Sequence, residues 1–137
     1  MADVTQTAAN VHPNGSNAAA ILVQVGEAVV QGDVGYYKTS DGKHWKCDAD
    51  LSTEAASAKG IFITPAAIDG YAYLQVSGSI DVGGTLVVGT TYLASANAGK
   101  IMPTADLASG DYNTRLGVAS TTDKLELSIS VTGIQVP

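Results

Sequence analysis

Charged side chains are scarce in this chain. Asp, Glu, Lys and Arg together make up 15% of its 137 residues, against about 25% in typical soluble domains. A surface with so few charges costs little to desolvate when a partner binds, which favours permanent assembly. A robust isolated domain is the alternative interpretation of this composition. The seven bases are scattered and outnumbered by thirteen acids. This balance argues against nucleic-acid binding, which needs clustered bases to neutralise phosphates.

Cysteine is nearly absent, and long apolar runs are missing. Cys47 is the only cysteine, so an intrachain disulfide is impossible and a disulfide-stapled secreted scaffold is excluded. The chain therefore suits a reducing cytoplasm. Residues 1–20 lack a basic region followed by an apolar one, so we expect no signal peptide. No apolar run is long enough to span a bilayer.

Residues that could carry chemistry are few and poorly placed. Cys47 follows His44 by three residues in a predicted strand, so the two side chains should project to opposite faces, whereas a thiol nucleophile needs its base in contact. We interpret Cys47 as a small buried apolar residue. Asp48, Asp50 and Glu54 form one acidic cluster without the order of a calcium loop, which favours a solvated loop. We predict no catalytic residue, no cofactor and no metal.

The N-terminal residues 1–19 are small and polar, with neither strand nor helix periodicity. Pro13 and Gly15 would interrupt either element. Alone, the segment cannot bury enough apolar surface to offset its ordering entropy. We predict a flexible arm over 1–19 that becomes ordered on a partner, with a frayed terminus as the alternative. The residues predicted to contact the partner are Val4, Thr5, Val11, His12, Pro13 and Asn14.

Residues 20–137 are predicted to form a single β domain, the number of domains that this length allows. Turn signals arrive about every 8–12 residues, which favours a compact antiparallel sandwich or barrel of jelly-roll type. The clearest alternation of apolar and polar residues covers 124–131. Only 51–59 resembles a short helix or a compact loop. Strands are predicted at 20–25, 28–30, 34–39, 44–47, 60–64, 71–76, 86–88, 91–94, 101–102, 114–120 and 124–131.

Two blocks of this chain carry recognisable turn-and-strand motifs. The first, VGEAVVQGDVGYY at 25–37, follows the pattern G-x-x-V-x-x-G-D-x-x-Y. It resembles the opening of phage capsid-decoration, or head cement, proteins. The second, at 90–129, is similar to a module of two strand pairs common in phage structural proteins. The matching residues are Gly26, Val29, Gly32, Asp33 and Tyr36 in the first block, and 92–94, 99–101, 117–119 and 125–127 in the second.

This resemblance implies a non-enzymatic virion protein, made in the host cytoplasm. It would bind the outside of an icosahedral head, often as a homotrimer, and stabilise the lattice of the major capsid protein. Neither nucleic acid nor a membrane is an expected partner. An alternative is a tail-fibre or receptor-binding module that stacks host-surface glycans on exposed aromatics, with Tyr71, Tyr73 and Tyr112 as candidates. The alternation in 71–76 predicts that Tyr71 and Tyr73 face the core, which speaks against this alternative.

Overall fold

The computed structural model describes residues 3–137. They form one curled antiparallel sheet of nine strands with the shape of a half-barrel. The predicted all-β antiparallel class is therefore confirmed, and between sandwich and barrel the single curled sheet is closer to a barrel. The described residues contain two single-turn 3-10 helices, Ala8–Asn10 and Thr104–Asp106, and no α-helix. None of their helices has the length and apolar character needed to cross a membrane.

The strands follow the sheet in the order β3-β2-β4-β5-β9-β8-β6-β7, and β1 lies on the remaining edge of β5. All of the ladders between these nine strands are antiparallel, and an isolated bridge from Val25 to His44 of β3 is parallel. The strands are β1 (Val11–Gln24), β2 (Val34–Lys38), β3 (Lys43–Lys46), β4 (Ala58–Phe62), β5 (Tyr71–Val82), β6 (Thr91–Ala94), β7 (Ile101–Pro103), β8 (Tyr112–Ala119) and β9 (Lys124–Gln135).

The long strand β5 is paired along both of its edges. On one edge it runs beside β1, from the Tyr71–Gln24 pair to the Val82–Val11 pair. On the other edge it meets β4 first, where Gln75 lies opposite Ile61, and then β9, where Gly78 lies opposite Leu127. A single strand therefore joins the two halves of the sheet.

A bulge in β1 occurs where β5 changes partner. The register of β1 against β5 shifts between Asn14 and Ala19. Opposite this shift, Gly78 has a φ of +87°, and a Cβ at this position would collide with the backbone of Asn17 and Ala18. Glycine is required here because both the positive φ and the close approach exclude a side chain.

Apolar side chains form two clusters. The larger cluster lies mainly beneath β2, β8, β9 and the neighbouring strands, and it includes Leu116 and Cys47. The smaller lies beneath the first half of β5 and the end of β1, around Phe62 and Leu74. Strand β2 contacts both clusters. Val34 lies in the larger cluster, and Gly35 lies against Phe62 of the smaller one, where a Cβ would strike the Phe62 ring.

Most predicted strands are present, but two of them are not, and the predicted short helix is not formed. Residues 28–30 contribute only an isolated bridge, from Val29 to Ala66. Residues 86–88 are not a strand, because Val87 begins a tight turn in which the Thr90 amide donates to the Val87 carbonyl at 3.1 Å. Residues 51–57 are a series of turns, so the compact loop is right and the helix is wrong.

The predicted boundary between arm and body, at 19–20, falls inside β1. Residues 11–19 contain no alternation of their own, yet they belong to a strand because β5 supplies their backbone partner. Met1 and Ala2, which the predicted arm also includes, lie outside the described residues. The mobility of the arm in solution stays a prediction.

We expect Leu116→Ala to destabilise the protein by about 2–5 kcal/mol, because Leu116 is completely buried in the larger cluster and its truncation leaves a cavity. Val118→Ala in the same strand is the control. Its side chain is 43% exposed, so its effect should stay within about 0.5 kcal/mol. Urea unfolding of both variants measures the difference, and equal losses would contradict the described burial of β8.

Candidate functional site

His44 and Cys47 do not form a catalytic pair in this structure. Cys47 is buried in the larger cluster, as predicted. Burial, and next the charge of Asp48, raise the pKa of its thiol to about 12. His44 instead packs against the ring of Tyr37, with 5.3 Å between ring centroids, and burial followed by the charge of Lys59 lowers its pKa. A protonated, inaccessible thiol cannot act as a nucleophile at neutral pH.

The acidic residues around Asp48 are engaged in local hydrogen bonds. An Asp48 carboxylate oxygen accepts the Asp50 amide at 3.3 Å, and Glu54 accepts the Thr39 hydroxyl at 2.7 Å. Desolvation, and next a side-chain hydrogen bond with Asp50, raise the pKa of Asp48 to about 6. Within residues 3–137, no three His, Cys, Asp or Glu side chains come together as a metal-binding group. The geometry of this loop is therefore that of hydrogen-bonded turns.

The first described residues lie along the body of the protein and are hydrogen-bonded to it. The carboxylate of Asp3 accepts from Ser95 at 2.6 Å and from Asn97 at 2.7 Å. The Val4 amide donates to Ile101, and the Gln6 side-chain amide donates to the Val82 carbonyl at 2.9 Å. Gly83 and Gly84 let this segment approach, since a Cβ on either would strike the carbonyl of Thr7 or Thr5.

The six residues predicted to contact a partner are divided between core and surface. Val11 is buried in the larger cluster, and Val4 packs partly buried against it. Thr5, His12 and Pro13 are exposed, and Asn14 is partly exposed. His12 lies 3.7 Å from the carboxylate of Asp81. Val4 and Val11 therefore anchor the N-terminal segment to the larger cluster, while Thr5, His12 and Pro13 stay accessible to a partner.

Tyr71 and Tyr73 do not face the core, so that prediction is wrong. They are 64% and 48% exposed, while Ala72 and Leu74 between and after them are buried. The alternation holds from Tyr71 to Leu74 and ends at Gln75, which is buried although it was grouped with the tyrosines. Ala72 and Leu74 are the residues that pack in the cluster around Phe62. Leu22 of β1 lies directly opposite Tyr73 and is 57% exposed.

Leu22, Tyr71 and Tyr73 together form one apolar surface, which we call the ribbon face. Opposite residues of an antiparallel pair project to the same side, and so do residues two apart in one strand. Exposed apolar surfaces of this kind mark binding sites more often than isolated exposed side chains do. No charged residue occurs on β1, or on β5 before Asp81. The ribbon face is the best candidate for a protein-docking site, and the sequence alone did not identify it.

The five residues of the first phage-like motif have structural roles. Gly26, Val29, Gly32, Asp33 and Tyr36 are all buried. Asp33 accepts the amide of Val30 at 3.0 Å. A Cβ at Gly26 would collide with the Trp45 ring. The motif therefore builds the turn that leads into β2, and it presents none of its residues on the surface.

No protein-family model, curated protein or solved structure matches this chain. A function must therefore be argued from the residues and their placement.

The raised pKa of Asp48 makes stability depend on pH. The folded state holds this proton more tightly than the unfolded state, so the contribution of Asp48 to the free energy of unfolding falls between pH values near 4 and 6, then levels off. Asp48→Asn removes this fall. Urea midpoints measured at both ends of that range should therefore show wild type losing stability relative to the variant as pH rises.

Asp123→Asn is the matched control, because the contribution of Asp123 to stability should change with pH in the opposite direction. Hydrogen bonds from Thr121 and then Lys124 lower the pKa of Asp123, so the contribution of Asp123 to stability is lost as pH falls. Wild type should gain stability relative to this variant as pH rises. A pH-independent difference between wild type and Asp48→Asn would contradict the desolvation of Asp48.

Proposed function

We propose that this protein is a non-enzymatic virion component that binds the outer surface of a phage capsid and stabilises the lattice of the major capsid protein. The two phage-like sequence blocks support the capsid as the partner. The ribbon face supports docking onto a protein surface. In this proposal the protein is made in the host cytoplasm and resides on the exterior of the virion.

The observation that carries the proposal is the ribbon face itself. Leu22, Tyr71 and Tyr73 are large, apolar and exposed side by side on paired strands. Aromatic residues bury a large area and are enriched at the centres of interfaces. β1 and the part of β5 before Asp81 carry no Asp, Glu, Lys or Arg, so a partner that covers them desolvates few ions. The Lys43–Asp69 ion pair lies near Tyr71, at one end of this face.

Stabilisation of a shell follows from preferential binding. A protein that binds the assembled lattice and not the free or unfolded subunits stabilises the assembled state by mass action, by about 2.7 kcal/mol per site at a hundredfold excess over Kd. Many copies on one shell add their contributions. The fold supplies the rigidity that this role requires, since the ribbon lies on strands and not on loops.

The exposed residues of the N-terminal segment belong to the same proposal. Thr5, His12 and Pro13 are accessible, and His12 and Pro13 lie in β1, the strand that also carries Leu22 of the ribbon face. An extended segment can add main-chain hydrogen bonds to the edge of a partner's sheet. Self-association, predicted as a homotrimer, would multiply these contacts on the capsid surface.

Particles that lack this protein provide the test. Purified wild-type protein should sediment with such particles and raise their melting temperature, while free capsid subunits should not retain it. The double variant Tyr71→Ser/Tyr73→Ser should weaken binding at least tenfold, because it removes the largest apolar side chains of the ribbon face. Both residues are exposed, so the free energy of unfolding of the variant should stay within about 0.5 kcal/mol of the wild-type value.

Val87→Ser/Val88→Ser is the matched control. These valines are equally exposed but lie in the turn before β6, away from the ribbon face. This variant should bind particles like wild type. Wild-type protein that neither binds particles nor raises their melting temperature would overturn the proposal.

Glycan recognition is the second candidate, and the exposure of Tyr71 and Tyr73 favours it. Exposed tyrosine rings can stack on sugars, as a receptor-binding module requires. Binding of wild type to a glycan array, lost in Tyr71→Ser/Tyr73→Ser and accompanied by no particle binding, would support this alternative over the capsid.

A further inference from the structure

A groove crosses strands β6, β8 and β9, and we propose that it binds an acidic sugar whose carboxylate is held by Arg115. The groove has a volume of about 360 Å³, and Arg115, Val118 and two serines of β9 are among its lining residues. It lies on other strands than the ribbon face. The inference therefore goes beyond the capsid role and does not depend on it.

Arg115 is the only arginine of the chain, and its charge has no partner among residues 3–137. Three of the six lysines, in contrast, form ion pairs with Asp or Glu, as Lys43 does with Asp69 at 2.6 Å. The side chain of Arg115 is exposed. Its planar fork of N–H donors is therefore available to a carboxylate from outside, which it can bind through two parallel hydrogen bonds.

An irregularity in β8 creates the groove beside Arg115. Both ladders of β8 change register between Arg115 and Gly117. Leu116 points into the larger cluster, and a Cβ on Gly117 would strike the carbonyl of Glu126. Strand β8 therefore places no side chain between the exposed Arg115 and the exposed Val118, and a depression is left there. Irregularities of this kind often re-aim a side chain beside a functional site.

Hydroxyl groups line the groove around Arg115. Ser130 lies directly opposite Arg115 in the ladder of β8 with β9, and Ser128 lies two residues before it. Both serines are exposed, and their hydroxyls make no hydrogen bond with other described residues. Thr91 adds a third hydroxyl, and Val118 is the one large apolar side chain. Because a hydroxyl both donates and accepts hydrogen bonds, this lining suits a ligand that carries several hydroxyls beside its carboxylate.

An acidic side chain of a partner protein would match this lining less well. It would use Arg115 and leave the three hydroxyls of the groove to water. The surface around it also lacks the large apolar and aromatic side chains that form the centre of protein interfaces. A concave site with a few placed polar groups is instead typical of small-ligand binding.

Glu126 marks the other end of the groove. It lies opposite Val118 in the ladder and four residues before Ser130, a distance of about 13 Å at about 3.3 Å per residue. Its carboxylate accepts the Ser120 hydroxyl at 3.1 Å, and it can accept a ligand hydroxyl as well. The two opposite charges therefore orient a sugar, with its carboxylate toward Arg115 and hydroxyls toward Glu126.

A polyanion would not fit this groove. A nucleic acid or a sulfated chain carries negative charge along its whole length, so it would meet Glu126 as well as Arg115. It would also be repelled by the net charge of −6. A sugar with a single carboxylate avoids both penalties.

Two-dimensional amide NMR of the labelled protein tests the inference, with glucuronic acid and N-acetylneuraminic acid as the probes. At least one of them should shift the signals of Gly117, Val118 and residues 128–130 in a saturable way. Glucose, which differs from glucuronic acid only at the carboxylate, should bind at least tenfold more weakly. Acetate, which has a carboxylate and no hydroxyl, should also bind at least tenfold more weakly.

Substitutions of Arg115 identify the contact. Arg115→Gln should weaken binding at least tenfold, and Arg115→Lys should also weaken it, because an ammonium keeps the charge but loses the two parallel hydrogen bonds. Lys59→Gln is the matched control, since it removes the same charge from an exposed side chain of β4 outside the groove. It should bind like wild type. Unchanged amide signals away from the groove demonstrate that each variant is folded.

Any of four results would overturn the inference. These are no saturable shift with either acidic sugar at millimolar concentrations, unchanged binding by Arg115→Gln, acetate binding as tight as that of the sugars, and a triglutamate peptide that binds more tightly than either sugar. The last result would identify the groove as a contact for an acidic protein segment.

The proposed function fails separately. Protein that binds particles and neither acidic sugar overturns only the sugar site, whereas protein that binds a sugar and ignores particles overturns only the capsid role. Loss of sugar binding in Tyr71→Ser/Tyr73→Ser, with Arg115→Gln unaffected, would place the sugar on the ribbon face and overturn the groove.

Discussion

The pairing of β5 along both edges is the constraint on which the rest of the structure depends. One edge is given entirely to β1, and the other is shared between β4 and β9. Because β4 leads to β2 and β3, and β9 leads to β8, β6 and β7, this single strand connects the two halves of the sheet. The sharing also leaves the outer edge of β1 and the last part of β9 without partners among the described residues.

These unpaired strand segments contain no Asp, Glu, Lys or Arg. In most proteins an exposed strand would carry lysine or glutamate, which both solubilise it and block further pairing. Here the ribbon face, residues 19–24 of β1 and residues 128–135 of β9 carry none. The charged residues lie in loops, as at Asp48, and in other strands, as at Lys43 of β3. The ribbon face is thus an apolar surface that another protein can cover.

The sequence was informative where the signal is local. Period-two alternation and turns such as Asp41–Gly42 predicted β2, β3 and β8 within two residues of their observed bounds, and they predicted where β5 and β9 begin. The last six residues of β5 and the last four of β9 were not predicted. The first half of β1 was not predicted, because residues 11–19 have no pattern and become a strand only through β5.

The placement of the candidate site was less predictable from the sequence. Alternation identified two faces of β5 without indicating which face is buried, and the tyrosines of the ribbon face were assigned to the wrong one. Open edges depend on pairings between residues distant in the chain, as between Gly78 and Leu127. No local pattern reports these pairings.

Hydroxyl-radical footprinting of tyrosine side chains, with and without capsid particles, tests the central claim most directly. Oxidation of Tyr71 and Tyr73 should fall sharply when the protein is bound, because the partner covers the ribbon face, while oxidation of the exposed Tyr37 on β2 should not change. Bound protein in which Tyr71 and Tyr73 remain as reactive as in the free protein would contradict the account.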